Sequence, residues 1–287
     1  MKNPIRPAPV APEDAERVRH TQLRERILAG TWQPDLREFL VDRVGKERAK
    51  IWGIPSQIDS PLLQLSTAVS RLYDFDPVVE HDDQDSAARM QRIANELQVW
   101  SACAEAQVLT EALNEAAIRV DRDADNRVVL RLVYPSLLSG RSAATAPGRP
   151  VVLTELELRQ LGGQLRWVKV TISVEDPDAP VYLVTDEQGH ELERREGDDY
   201  PWRWPGGRPY LPFSLRHSSR KPRELFNPWY RSETVAGTML AGVLATLIDH
   251  GAINAVWAQR WAVGVQPAGA VQADDGEGGG VSAVVAA

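Results

Sequence analysis

The sequence predicts an α+β protein in which helical blocks flank a β-rich, mostly antiparallel middle. Three observations carry that expectation. Apolar residues recur at steps of three and four up to about residue 119. From Val120 to about Leu215 they alternate with polar residues, the period of a half-buried strand. The helical period returns at Ser232, in the run SETVAGTMLAGVLATLIDH.

Taken in order, residues 1–12 are Pro-rich and read as a flexible N-terminus. Residues 13–119 read as the helical part. Glu13 to Ala29 is a helix with Val18, Leu23 and Ile27 on one side and Gly30 as its stop. Pro34 opens the next, in which Leu36, Phe39, Leu40 and Val44 recur up to about Lys50. Ser60-Pro61 is an N-cap followed by proline at the first helical position. Leu65, Ala68, Val69 and Leu72 form the apolar stripe behind it, and Asp76-Pro77 closes it. An acidic loop, EHDDQDS, fills 80–86. From Ser86 to Arg119 the residues Met90, Ile93, Leu97, Trp100, Ala104, Val108, Leu113 and Ala117 keep helical spacing. Unbroken, that helix would span ~50 Å; helices of such length are uncommon, so a break is the alternative.

Residues 120–231 read as the β-rich part. Val128–Val133 is a strand, and Leu156 and Leu158 alternate with Glu155 and Glu157 in another. Residues 139–150, SGRSAATAPGRP, read as a loop. The clearest strand is Val168–Val174. Val181–Thr185 and His190–Arg194 flank the hairpin signal Asp186-Glu187-Gln188-Gly189. Pro209–Leu215 is strand-like, and Arg216–Arg223 is a basic turn. Residues 232–266 are helical, and 267–287 read as a flexible C-terminal end with a Gly-rich linker before VSAVVAA. That ending reads as a chain cut short as a new element begins.

Composition narrows the function classes. A chain of 287 residues suits one large domain or two ordinary ones, and 43% hydrophobic content with 25% charge is that of a soluble globular protein. The net charge of -7 argues against a surface built all over to grip nucleic acid. One cysteine, Cys103, leaves no internal disulfide framework and no multi-Cys zinc site. The N-terminus has no apolar core of a secretory signal. No uninterrupted apolar run reaches ~18 residues, so no membrane span is expected; the nearest, Val235 to Ile248, stops at Asp249-His250.

The candidate sites are few. Asp121-x-Asp123-x-Asp125 has the opening spacing of a calcium loop, but Asn126 stands where glycine is needed and Leu132 where the bidentate Glu is needed, so a solvated turn is favoured. His81, Asp82, Asp83 and Asp85 lack a second His at helical spacing and read as a charged loop. Cys103 sits beside alanines and reads as buried and inert. No nucleophile elbow, phosphate loop or dinucleotide fingerprint occurs. The basic patch of Arg216, Arg220, Lys221 and Arg223 lies in a stretch with seven Lys/Arg against two Asp/Glu between Asp199 and Arg231. Basic residues among aromatics can bind nucleic acid, but so few cations favour a solvated loop or an intersubunit salt-bridge surface. In the last helix Met239, Leu240, Val243, Leu244 and Leu247 form a face broad enough to pack in part between subunits, with small residues interleaved. No cofactor, metal or catalytic residue is expected.

Three segments together resemble a tailed-bacteriophage portal (head–tail connector) protein. They are LREFLVDRVGKERAKIWGIPSQIDSPLLQLSTAVSRLYDFDPVV (36–79), VWSACAEAQVLTEALNEAAIRVDRDADNRVVLRLVYPS (99–136), and Arg208 to Trp261. The likeness is one of order and texture: early helices ending in Leu-Tyr-Asp-x-x-Pro, a Trp-bearing helix, an acidic turn into a strand ending in Tyr-Pro, then a Pro-rich strand and an apolar helix.

The resemblance implies a structural, non-enzymatic subunit. Copies would form a ring, commonly of a dozen, at one capsid vertex of the virion, through which double-stranded DNA is packaged and ejected without sequence-specific binding. Terminase, capsid and tail-adaptor proteins would be the other partners, and the host cytoplasm the place of assembly. Residues 13–231 would be the outer wing, so the chain reads as the front part of a portal subunit. Portals are mostly longer, with stem, clip, tunnel loop and crown, parts not assignable here. The alternatives are a phage or bacterial enzyme with a non-motif active site and a small binding module that docks on a larger assembly. A polar cluster in a pocket would mark the first. Large lateral apolar faces would mark the ring subunit.

Overall fold

The structure is a computed structural model. It describes residues 14–53, 58–73, 75, 77–78, 80–123, 125, 127–192, 202–219, 224–229 and 231–262, excepting the side chains of 254 and 256–262. The expected flexible ends, the turn at Asp76 and the far end of His190–Arg194 lie outside those residues, wholly or in part.

The fold is α+β, with antiparallel sheets in the middle and helices on either side in sequence. Helices α1 (Ala15–Leu28), α2 (Gln33–Val44), α3 (Lys46–Trp52), α4 (Pro61–Val69), α5 (Gln84–Glu96) and α6 (Val99–Leu113) come first. Strands β1 (Glu115–Arg122), β2 (Val128–Val133), β3 (Leu138–Ala143), β4 (Ala146–Leu161), β5 (Gln164–Ser173), β6 (Val181–Thr185) and β7 (Phe213–His217) follow, and α7 (Ser232–Ala262) comes last. The chain divides into two compact units. One holds residues up to Asp35 with Asp59–Met239; the other holds 36–58 with α7 from Leu240 on.

Local chemistry explains the helix ends. The Ser60 hydroxyl accepts the Leu63 N–H at 3.1 Å to cap α4, and the Asp83 carboxylate caps α5 through Ser86 N–H at 3.0 Å. The acidic loop at 80–86 is therefore in part the start of a helix. Gly45, at φ 83°, separates α2 from α3 where helical spacing alone suggested one element. The long helix expected over 86–119 is broken at Leu97-Gln98, with Gln98 left-handed at φ 50°. It also stops early. Asn114 takes φ 70°, and Glu115–Arg119 is strand rather than helix. The Asn114 side chain donates to the carbonyls of Ser219 and Asn227, and its Oδ1 accepts the Ser219 N–H, which holds the corner.

In the first unit the layers are α6, then the three-stranded sheet β2-β1-β7, then the four-stranded sheet β3-β4-β5-β6. Residues of β1 alternate between the two sides. Ala116 and Ile118 pack with Cys103, Ala106, Leu109 and Leu113 of α6. Ala117 faces the other way with Val133, Leu138, Phe213 and Leu215. The second sheet contributes Val168, Val170, Ile172, Tyr182 and Val184, against which Leu211 and Phe213 pack.

Three expectations are corrected. Residues 139–150 are not a loop but the hairpin of β3 and β4, with register shifts at Arg141/Ser142 and Ser142/Ala143. The Gly, Ser and Pro that looked like punctuation sit at these irregularities or at close approaches. Gly140 is one: a Cβ there would lie 2.7 Å from Leu153 Cδ2 and 2.8 Å from the Val152 carbonyl oxygen. The stripe of Leu65, Ala68, Val69 and Leu72 is exposed; α4 instead buries Leu62 and Ser66, the latter bonded to the Leu62 carbonyl. Arg216 belongs to β7, not to a turn. By contrast, Asp123 does organise a turn, accepting the N–H groups of Asp125 and Arg127 at 2.9 and 2.8 Å.

Candidate functional site

The surfaces available for association are built on α7 and on α4 with α5. α7 buries one clean face: Val235, Thr238, Met239, Gly242, Val243 and Thr246 fall at steps of three and four. The opposite face is Gly237, Leu240, Leu244, Ile248 and Gly251. Leu244 is 51% exposed and Ile248 69%, and an added Cβ at Gly237 or Gly251 would meet nothing within 4 Å. The five residues expected to pack thus divide. Met239 and Val243 are buried, Leu247 is half-buried, and Leu240 and Leu244 are open. A single broad face was the wrong picture: Gly242 lies in the buried stripe, while Gly237 and Gly251 bracket the exposed one.

α7 runs on through Asp249 and His250, which interrupt the apolar run but not the helix. Ser232–Ile253 is long and apolar enough, by length and composition, to cross a membrane. Isolated charges inside a long apolar run do not break helical hydrogen bonding, which is backbone-based.

On the first unit, Leu65 and Val69 of α4, then Leu72, Phe75 and Val78, then Met90 and Ile93 of α5 are all exposed; Phe75 reaches 87%. These large apolar side chains, close together in sequence between residues 63 and 93, are the second set left open. Leu65, Val69, Leu72, Met90 and Ile93 were legible in the sequence as apolar spacing.

The first unit also holds a buried ionic network that the sequence did not announce. Glu155, Glu157 and Arg159 of β4 are nearly inaccessible, although charged residues alternating with leucines along a strand ordinarily face water. Leu158 is the exposed one. Arg119 of β1 donates to Glu155 Oε2 at 2.7 Å, and Arg131 of β2 donates to the same oxygen at 3.2 Å. Arg131 also lies 3.5 Å from Glu157, and Arg159 donates to Glu157 at 2.9 and 3.1 Å. Asp121 completes the set, 3.3 Å from Arg131. Burial opposes the charge on Arg119 and on Glu155 alike. For Arg119 the Glu155 and Asp121 carboxylates outweigh it and hold the guanidinium above its ordinary range; for Glu155 burial leaves the carboxyl raised. Two guanidiniums face the one carboxylate, so the ion pair is what the geometry supports. The network ties the two sheets together, since Arg119 and Arg131 of one sheet pair with Glu155 and Glu157 of the other.

A second buried polar group ties α1 to the sheet. Arg17 donates to the carbonyls of Pro135 and Leu138 at 3.1 and 2.5 Å and lies 4.2 Å above the Phe226 ring; Arg24 donates to the Ala112 carbonyl at 3.1 Å. Burial pulls the Arg24 guanidinium down to about 10. Glu115 accepts the Asn227 N–H on one oxygen, while its Oε2 has no hydrogen-bond partner among the described residues. Burial lifts its carboxyl to about 7. His20, packed 4.6 Å from Trp229, is pushed down to about 4 by burial and by Arg24.

Of the basic patch, Arg216 points inward: it donates to the Tyr73 hydroxyl at 3.2 Å and to Cys103 Sγ at 3.0 Å. Arg220, Lys221 and Arg223 lie outside the described residues. Cys103 is buried, as its alanine neighbours suggested. Among the described residues no three His, Cys, Asp or Glu side chains converge as metal ligands would. No protein-family model matches the chain. No curated protein matches it significantly.

Proposed function

We propose that this chain is a structural subunit that associates with copies of itself, and that the assembly is a phage portal ring through which double-stranded DNA passes. The observation that carries self-association is the pair of open apolar surfaces, the Leu240/Leu244/Ile248 ridge of α7 and the Leu65–Ile93 surface of α4 and α5. Exposed apolar side chains gathered on neighbouring stretches of chain are the kind of feature that marks an interface. Two different surfaces rather than one self-complementary patch fit head-to-tail association, which closes into a ring when the rotation per subunit allows. The α7 ridge of one copy is the partner of the α4/α5 surface of the next. The glycines bracketing the ridge let a facing element approach closely.

The portal assignment adds what the sequence resemblance implies: a dozen or so copies at a capsid vertex of the virion, no chemistry of its own, and terminase, capsid and tail-adaptor proteins as further partners. The net charge of -7 supports a conduit that lets DNA slide rather than holding it. Sedimentation velocity across a concentration series, followed by electron microscopy of the largest species, tests the reading. Closed rings are expected. A strict monomer at all concentrations would overturn self-association, and a closed dimer would overturn the ring.

A further inference from the structure

A cleft of 440 Å³ lies in the first unit, between the β3–β4 hairpin, the turn after β5 and the segment leading into β7. We propose that it binds a nucleoside phosphate, taking an aromatic base on Trp204 and the phosphate on Arg149 and Arg208. The site stands independently of the assembly proposed above.

Its size falls in the range that encloses a small organic ligand. Its floor is aromatic. The Trp204 and Tyr210 ring centroids are 4.6 Å apart at 35°, yet Trp204 is 59% exposed. A large indole tilted against Tyr210 and more than half exposed offers π surface on which any base can stack. Trp202 meets Tyr210 edge-on at 6.3 Å, and the Arg122 guanidinium lies 5.8 Å from the Trp202 ring.

The platform is held before any ligand arrives. Trp204 N–H donates to the Arg208 carbonyl at 3.0 Å, Gly207 N–H to the Trp204 carbonyl at 2.8 Å, and Tyr210 N–H to the Trp202 carbonyl at 3.0 Å. Arg203 and Pro209 form an antiparallel bridge, and Arg203 Nη1 donates to the Gly207 carbonyl at 2.5 Å. Gly207 supplies the φ of 79° that this turn needs. A closed turn of this kind presents Trp204 with little entropy left to lose on binding.

The charge at the cleft favours an anion. Arg149 and Arg208 line it, both exposed, and neither side chain has an ion pair or hydrogen bond among the described residues. The acid on the wall, Glu175, is already held by Arg141 at 2.5 Å. Asp176 and Asp178, in the same turn, do not line the cleft. Two unpaired guanidiniums suit a phosphate, whose oxygens match the planar fork of donors. An aromatic face beside them selects a phosphate that carries a ring.

Calorimetric titration of the full chain tests this with AMP, adenosine, inorganic phosphate, a single-stranded tetrathymidylate and a short polyglutamate as probes. Saturable AMP binding is expected, at least tenfold tighter than adenosine or inorganic phosphate. Trp204→Ala and the double change Arg149→Ala/Arg208→Ala should each weaken it about tenfold, in line with the loss of one stacked base, with unchanged circular-dichroism melting. Tetrathymidylate binding tighter than AMP identifies a strand as the natural source of the nucleotide; AMP as tight or tighter identifies a free nucleotide. No saturation by either at millimolar concentration overturns the proposal. So do AMP binding that both variants leave unchanged, and polyglutamate binding as tight as AMP, which would make the cleft a site for acidic peptide.

Discussion

Glu115 and His20 illustrate how burial sets a charge by removing water. Glu115 has a folded value near 7, raised, so it binds a proton more readily folded than unfolded. Its stabilising contribution is complete below its unfolded range and is lost as pH rises through about 7. His20 has the opposite sign. Its folded value near 4 is lowered, so its contribution is present above its unfolded value and lost as pH falls toward 4. The two windows overlap and oppose each other. Replacing Glu115 by Gln should therefore give a stability gain over the parent chain that grows between pH 5 and pH 7, read as the difference in melting temperature at each pH. A difference that shrinks with rising pH would show that Glu115 is not the group responsible. At the network, Arg119→Met leaves Glu155 buried with one fewer cation. The expected loss is about 3 kcal/mol in urea unfolding, the usual result of breaking a buried pair from one side.

At the scale of elements, α7 shows why position around a helix outweighs hydrophobicity. Val243 and Leu244 are adjacent and both apolar, yet one is 6% and the other 51% exposed. Val243→Asp buries an unpaired carboxylate and should unfold the helix's surroundings, lowering stability by more than about 3 kcal/mol. Measured on the dissociated chain, Leu244→Asp should change it by no more than about 0.5 kcal/mol, the usual range for a surface site. Guanidinium unfolding of the two variants side by side decides the matter; equal losses would mean that Leu244 packs within the chain. On α4, Ser60→Ala removes the acceptor for the Leu63 N–H and should cost about 1 kcal/mol.

For the whole molecule, head-to-tail pairing of the α7 ridge with the α4/α5 surface makes a prediction that no symmetric interface shares. Leu244→Asp and Leu65→Asp should each stop association when alone. Mixed, each variant still carries the surface the other lacks, so one copy of each should form a heterodimer and nothing larger. Sedimentation of the mixture checks this. Two self-complementary patches would instead leave each variant forming its own homodimer.

The sequence by itself determined the α+β class and the succession of helical, β-rich and helical stretches, because periods of 3.6 and 2.0 are local properties of the chain. It located the Ser60 cap, the Asp123 turn and the Val168, Val170, Ile172 face of β5 for the same reason. It did not decide which apolar stripe is core. Leu62 is buried and Leu65 open on one short helix, Leu156 is buried and Leu158 open on one strand, and nothing within either segment distinguishes them. Glu155 and Glu157 were read only as alternating with Leu156 and Leu158, a pattern whose charged side would ordinarily face water, yet both are buried, as is Arg159. They lie inside because Arg119 and Arg131 arrive from strands some two dozen or more residues away in sequence to pair with Glu155. The Trp204 cleft has the same origin. Arg149, Glu175 and Trp204 are distant along the chain and are brought together by the β3–β4 hairpin and the turn after β5. Local period decides what an element is; long-range pairing decides what each of its faces meets.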